Sequence, residues 1–241
     1  MIFTIIGFLL KFYKETGKKE EGPYHRYAAI ISARNEENVI SQLIASLKRQ
    51  NYPGELLDIY VIADNCTDRT AQVSRDAGAI VLERYSDLKG KGYALDYFFK
   101  QLALNGKREE YTGYFVFDAD NIVDQNFVKE MNKTYSLKGY EAMTSYRNSK
   151  NYGQNWISQG YSVWFLTEAR FINYPREFLG TSCAISGTGF FVAQSLIAKN
   201  GGWPYHLLTE DIEFSVNCAI NGTKIGYCDK AVVYDEQPTQ I

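Results

Sequence analysis

The sequence predicts an α/β fold: a Rossmann-like, mostly parallel central sheet flanked by helices. Three observations carry that prediction. From Tyr27 onward, apolar runs of strand length alternate with stretches of helical period. Several of the strand-length runs end in polar clusters, the pattern expected where a ligand crevice lies outside the carboxyl ends of a doubly wound sheet. A chain of 241 residues that is 45% hydrophobic is also large enough to bury a full core, within the size range of one α/β domain.

In chain order, YAAII (27–31) reads as a buried strand, followed by a helix over 37–49 with Val39, Leu43, Ile44 and Leu47 at helical spacing. LDIYVIA (57–63) is the second strand; Thr67 and Asp68, both good capping residues, open a helix to Ala77. AIVLE (79–83) is the third strand, and a helix over 93–104 leads to YFVF (114–117), which ends on Asp118. The second half is less regular, with a helix over 124–137, a short strand AMTS (142–145), a long helix over 155–174, a strand beginning FFV at Phe190 and a helix over 210–221. No repeat, Pro-rich linker or low-complexity run interrupts 27–235, so the domain is expected over 23–241.

Composition narrows the partners. A formal charge of -2 and a pI near 5.8 supply no basic field for a phosphate backbone, which argues against nucleic acid. Cys66, Cys183, Cys218 and Cys228 form no CxxC pair, and with only His25 and His206 they build no zinc pattern; a reducing compartment fits best. The first ten residues are apolar but half the ~20 needed to cross a bilayer. Lys11, Lys14, Lys18 and Lys19 follow at once. Residues 1–22 therefore read as part of a membrane helix, or an interfacial one, plus a connector that holds the domain on the cytoplasmic side.

Asp118-Ala-Asp120 leaves an apolar strand with two carboxylates at spacing two. Mg²⁺ and Mn²⁺ prefer such oxygens and keep positions open for phosphate, although a turn built on Asp and Asn121 explains the same letters. Two other strand ends, Ser32-Ala-Arg34-Asn35-Glu36-Glu37 and Asp64-Asn65-Cys-Thr-Asp68, would converge on the same crevice, and three such ends together favour a ligand site. Lys89-Gly-Lys91-Gly92 precedes a helix and offers cations and backbone N–H groups to a phosphate, or is only a loop. By spacing alone, Asp211 in Thr209-Glu210-Asp211 reads first as an acid complementing a helix N-terminus and second as a general base. Gly187-Thr188-Gly189 reads equally as a close approach to a ligand or a tight turn.

These pieces, in this order, resemble the family 2 glycosyltransferases of the GT-A fold, which include cellulose-, chitin- and hyaluronan-synthase relatives. The resemblance runs over 27–235 and rests on ARNEE (33–37), ADNCTD (63–68), KGKGYAL (89–95), FDADN (117–121), SGTGF (186–190) and LTEDIEF (208–214). It implies an inverting, metal-dependent transfer from a nucleoside-diphosphate sugar, such as a UDP-sugar, to a saccharide or lipid-linked acceptor, forming a β-glycoside. By the same resemblance, Asp64, Asn65, Ser32 and the Arg34–Glu36 loop would hold base and ribose, and Lys89 and Lys91 would approach the donor. Asp118 and Asp120 would hold Mg²⁺ or Mn²⁺ and the diphosphate. Asp211 would be the base, Glu210 would shape the acceptor site, and Gly187, Thr188 and Gly189 would border the donor sugar. Many members continue into a Gln-x-x-Arg-Trp segment and membrane helices; this chain stops at Ile241, as a truncated form would. Two other readings stand beside this one: a sugar nucleotidyltransferase, whose usual Gly-rich loop is replaced here by ISARNEE, and a non-catalytic nucleotide-sugar-binding domain.

Overall fold

A computed structural model describes residues 22–240. Apart from Gly22, the apolar segment and Lys-rich connector expected over 1–22 lie outside the described residues.

The first half alternates as the periodicity requires: β1 (Tyr27–Ala33), α1 (Ile40–Lys48), β2 (Leu57–Asp64), α2 (Thr70–Asp76), β3 (Ile80–Arg84), α3 (Lys91–Leu104) and β4 (Gly113–Asp118). The second half runs β5 (Ile122–Val123), α4 (Phe127–Lys138), β6 (Ala142–Ser149), α5 (Trp156–Thr167), a π-helical turn (Glu168–Asn173), α6 (Tyr174–Phe178), β7 (Phe190–Ala193), α7 (Gln194–Lys199), α8 (Glu210–Ile220) and β8 (Ile225–Asp235). One sheet takes up all these strands in the order β3-β2-β1-β4-β7-β6-β8-β5.

Strands β1 and β4 are buried almost along their whole length, because helices cover both faces. On one face, Leu95, Phe98, Phe99 and Leu102 of α3 join Phe190, Trp203 and Phe214. On the other, Ile40, Leu43, Ile44 and Leu47 of α1 meet Phe127, Val128 and Met131 of α4. Burying any one of these large side chains is worth about 1.5–3 kcal/mol.

Strand direction decides what reaches which edge. β1 pairs in parallel with β2 and β4, and β2 with β3, so their carboxyl ends share one rim. β7 runs antiparallel to both β4 and β6, and therefore delivers its amino end, the Gly187–Gly189 turn, to that rim. β6 and β8 are parallel to one another, so Ser149 and Asp235 finish there as well.

β5, α7 and β8 were not expected from the sequence, and two expected elements differ in extent. β6 continues to Ser149 rather than stopping at Ser145, because a bulge at Ser145/Tyr146 lets its pairing with β8 resume four residues on. The long helix expected over 155–174 opens on Asn155, whose side chain accepts from the N–H groups of Ile157 and Ser158, but it then widens into the π turn and extends to Phe178. Pro175, the second residue of α6, has no N–H to continue an α-helical ladder.

Candidate active site

The two loops after β1 and β2 are locked together. Asn35 Oδ1 accepts the Thr67 N–H at 2.8 Å, Thr70 Oγ1 accepts the Glu36 N–H at 2.7 Å, and Asp68 Oδ2 accepts the Glu37 N–H at 3.1 Å. Asn35 and Asn65 both take left-handed backbone (φ 59° and 51°), a conformation Asn tolerates better than most residues. These contacts hold Ser32, Arg34 and Glu36 against the cleft.

Asp64 and Asn65 stand at the end of β2 beneath this loop pair. Asp64 is buried and ion-paired with Arg84, whose other nitrogen donates to the Leu88 carbonyl at 2.7 Å. Asn65 receives the Ser86 N–H at 3.0 Å. Neither lines the cleft in which Asp118 and Asp120 lie, and Lys89 is solvent-exposed on the loop before α3.

Lys91, the first residue of α3, ties the remaining clusters together. Its ammonium donates to Asp118 Oδ1 at 2.5 Å and to the Gly187 carbonyl at 2.6 Å, and lies 4.0 Å from Glu210 Oε1. Gly92 beside it permits close packing, since a Cβ there would fall 2.1 Å from the Tyr205 carbonyl oxygen. Thr188 Oγ1 accepts the Asp118 N–H at 3.0 Å and itself donates to Asn121. Gly187 and Gly189 both have positive φ. A Cβ on Gly189 would sit 2.6 Å from Ser145 Oγ and from Val233, whereas one on Gly187 would sit 3.5 Å from Asp211 Oδ2. The SGTG segment is thus a tight turn with Asp211 of α8 beside it; Gly187, Thr188, Gly189, Glu210 and Asp211 do not themselves line the cleft that Asp118 and Asp120 line.

A cleft of about 470 Å³ is lined by Ser32, Arg34, Glu36, Lys91, Asp118 and Asp120 from the first half of the chain and by Arg147, Tyr161, Phe165 and Asp235 from the second. The second-half residues were not singled out from the sequence. Arg147 lies on the part of β6 beyond the expected strand end, and Asp235 read only as the tail of the chain. In the structure Arg147 is ion-paired with Asp235, stacks on the Phe165 ring with its guanidinium carbon 3.9 Å from the centroid, and donates to the Ser186 carbonyl at 3.2 Å. Lys150 donates to the backbone oxygen of Asp120 at 2.6 Å.

The charge balance at this rim is uneven. Asp118 has Lys91, and Asp235 has Arg147, Asn121 and Gln237. Among the described residues, the Asp120 carboxylate accepts only from Asn121, at 3.1 Å. Its pKa is pushed up to about 6, by burial first and then by Asp235 and Asp118, with Lys150 opposing and Glu36 adding to the rise. Burial likewise raises Glu36 and Glu210, the latter against the pull of Lys91. Glu168, another residue not foreseen, is raised by burial although Ser186 donates to it at 3.2 Å.

A divalent cation would relieve this crowding. Among the described residues no three His, Cys, Asp or Glu side chains stand close enough to hold one by themselves. Asp118 and Asp120 supply part of an oxygen shell and leave the rest to phosphate oxygens and water, a division that suits Mg²⁺.

Residues 25–241 match the model of the family described as "Glycosyltransferase like family 2". The chain is 26% identical over 230 residues to a beta-monoglucosyldiacylglycerol synthase of Synechocystis, covering 93% of this chain and 46% of that protein. It thus spans about half the length of such curated relatives. Among solved structures it is similar to a mannosyltransferase of Pyrobaculum calidifontis in complex with GDP-Man and Mn²⁺, with a TM-score of 0.73 at 14% identity, covering 99% of this chain and 65% of that one. It is also similar to glucosyl-3-phosphoglycerate synthase of Mycobacterium tuberculosis in complex with Mn²⁺, UDP and glucosyl-3-phosphoglycerate, with a TM-score of 0.59 at 16% identity over 90% of this chain and 73% of that one. These structural likenesses establish the GT-A fold.

Proposed function

The chain belongs to the glycosyltransferase family 2, and from that premise we propose that it transfers a sugar from a nucleoside-diphosphate sugar, most simply a UDP-sugar, to a lipid-linked or saccharide acceptor. One observation carries the reading: the Lys91 ammonium joins Asp118, the Gly187 carbonyl and the Glu210 carboxylate, so four separate stretches of the chain converge beside the cleft that Lys91, Asp118 and Asp120 line. The neighbour bound to UDP and Mn²⁺ supports the donor class, and the similarity to a diacylglycerol-directed synthase supports a lipid acceptor at a membrane, with the domain on the cytoplasmic side.

Ser32 and the Arg34–Glu36 loop hold the nucleoside, and Asp64 and Asn65, fixed by Arg84 and Ser86, support the base and ribose from below. Asp118 and Asp120 would hold Mg²⁺ or Mn²⁺, which would supply Lewis-acid stabilisation to a diphosphate leaving group. Lys91 adds a fixed positive charge where the leaving-group charge develops. Gly187, Thr188 and Gly189 border the sugar, and Glu210 shapes the acceptor side. Asp211 accepts the proton of the attacking hydroxyl as its oxygen bonds to the anomeric carbon. The hydroxyl attacks on the face opposite the leaving group, and the electron pair of the breaking bond between the anomeric carbon and the phosphate oxygen leaves with the diphosphate, so an α-linked donor gives a β-glycoside.

Titration calorimetry with UDP should show binding that strengthens with Mn²⁺; identical isotherms with and without the ion would remove the metal from the reading. Asp211→Asn should lower turnover by roughly 10²–10⁴-fold and leave donor affinity unchanged. Unaltered turnover would exclude Asp211 as the base.

A further inference from the structure

Helix α5 is built inside out. The side packed on the domain carries Ser158 and Ser162, continued by Ala169 in the π turn, all buried; the outward side carries Trp156, Tyr161, Val163, Trp164 and Leu166, between 45% and 72% exposed. Ser162 Oγ donates to the Ser158 carbonyl at 2.6 Å, so the small polar residues are satisfied within the helix. A helix on an aqueous surface has the opposite arrangement. Small residues turned to the protein and large apolar ones turned away are characteristic of helices whose surroundings are lipid.

A second element repeats the pattern. Leu208, Ile212, Val216 and Ile220 are spaced four apart along and just before α8, and are 99%, 55%, 52% and 77% exposed. Both elements flank the same segment of chain: Ser186 Oγ donates to Glu168 Oε2 at 3.2 Å, and the Ile185 N–H donates to Ser215 Oγ at 2.9 Å. An apolar groove of about 530 Å³ along α5, lined by Trp156, Gly160, Tyr161, Trp164 and Phe165, shares Tyr161 and Phe165 with the polar cleft.

We propose that the outward face of α5, with the α8 stripe, docks on the surface of a lipid bilayer and seats Trp156 and Trp164 at the boundary between headgroups and acyl chains. Two features select lipid over a second copy of the chain or another protein segment. Trp and Tyr on the exposed face are the residues that favour that boundary. The face presents no charged side chain from Trp156 to Thr167, while Arg170, exposed one turn on, is placed to meet a headgroup phosphate. Among the described residues no helix is long and apolar enough to cross a membrane, so α5 lies on the bilayer rather than through it. Docked this way, the wall formed by Tyr161 and Phe165 opens toward lipid; that acceptors arrive by this route rests on the transfer reading, whereas the docking does not.

Tryptophan fluorescence tests it directly. Of the three Trp in the chain, Trp156 and Trp164 are exposed and Trp203 is 1% exposed. With the 241-residue chain and vesicles of phosphatidylcholine containing a quarter phosphatidylglycerol, brominated in the acyl chains, emission should shift to the blue and fall by roughly a third or more. The Trp156→Phe/Trp164→Phe variant should keep its remaining emission. Ile212→Ser/Val216→Ser, which alters exposed positions, should weaken vesicle partition by about tenfold. Co-sedimentation with vesicles but no quenching would place the contact elsewhere and overturn the proposal, as would a blue shift that grows with protein concentration in the absence of lipid. Mn²⁺-dependent donor hydrolysis, followed in the same samples, separates the two ideas: hydrolysis without quenching removes the docking face, and quenching without hydrolysis removes the transferase reading.

Discussion

Replacing Asp120 with Asn should stabilise the metal-free protein while removing metal-assisted donor binding. The side chain keeps its shape and loses a charge that its surroundings do not balance, because Lys150 bonds the Asp120 backbone oxygen and the nearby Arg147 is engaged by Asp235. A rise in pKa from 3.8 to about 6 corresponds, at about 1.4 kcal/mol per tenfold change in proton affinity, to roughly 3 kcal/mol held against the folded state at neutral pH. Partial solvent access screens this to about 1–2 kcal/mol. For a chain of this size that is about 3–6 °C in Tm. The sign follows from linkage: the folded state binds the proton more tightly than the unfolded one. Wild-type stability relative to the variant is therefore fully present below about pH 3.8 and is lost as pH rises through about 6. Thermal melts in chelator at pH 7.5 should put Asp120→Asn above wild type, with the gap shrinking to roughly a third at pH 4.5. With Mn²⁺ and UDP added, only wild type should gain in Tm. A variant that melts at or below wild type at pH 7.5 without metal would refute the account of crowded carboxylates.

Lys91→Met removes the ammonium shared by Asp118 and Gly187, and should lower turnover by roughly 10²–10³-fold in steady-state assays. Gly189→Ala forces a Cβ into Ser145 and Val233 at positive φ, and should cost about 2–4 kcal/mol in urea denaturation; Gly139→Ala, also at positive φ but with open space around it, should cost no more than about 1–2 kcal/mol. Arg84→Met leaves the Asp64 carboxylate buried and unpaired, at a cost of about 3–5 kcal/mol, and Asp64→Asn in the same background should recover part of the loss.

The rim of the first half was legible in the sequence because each of its groups lies within a few residues of a strand end. Asp64 closes β2 and Asp118 closes β4, so a continuous apolar run of strand length followed by a carboxylate already places the carboxylate at the edge. The helices of that half were legible for the same reason: Leu43, Ile44 and Leu47 repeat at helical spacing on a side that must be covered. Arg147, Tyr161, Phe165 and Asp235 of the second half were not, because their position depends on strand order and direction rather than on local pattern. Arg147 and Asp235 are 88 residues apart and meet only because β6 and β8 pair in parallel across a bulge. The Gly187 turn faces Lys91 only because β7 enters the sheet antiparallel, beside β4.

The sequence by itself determined the alternation of strand and helix, the covered faces of the sheet and the carboxylates that end β2 and β4, since these follow from side-chain period and local turn chemistry. Tertiary structure alone decided that Lys91 bridges Asp118 and Gly187, that Asp64 is committed to Arg84, and that α5 turns its aromatic face outward. Each of these depends on which distant backbone lies alongside, and that is set by packing the whole core at once rather than by any window of the chain.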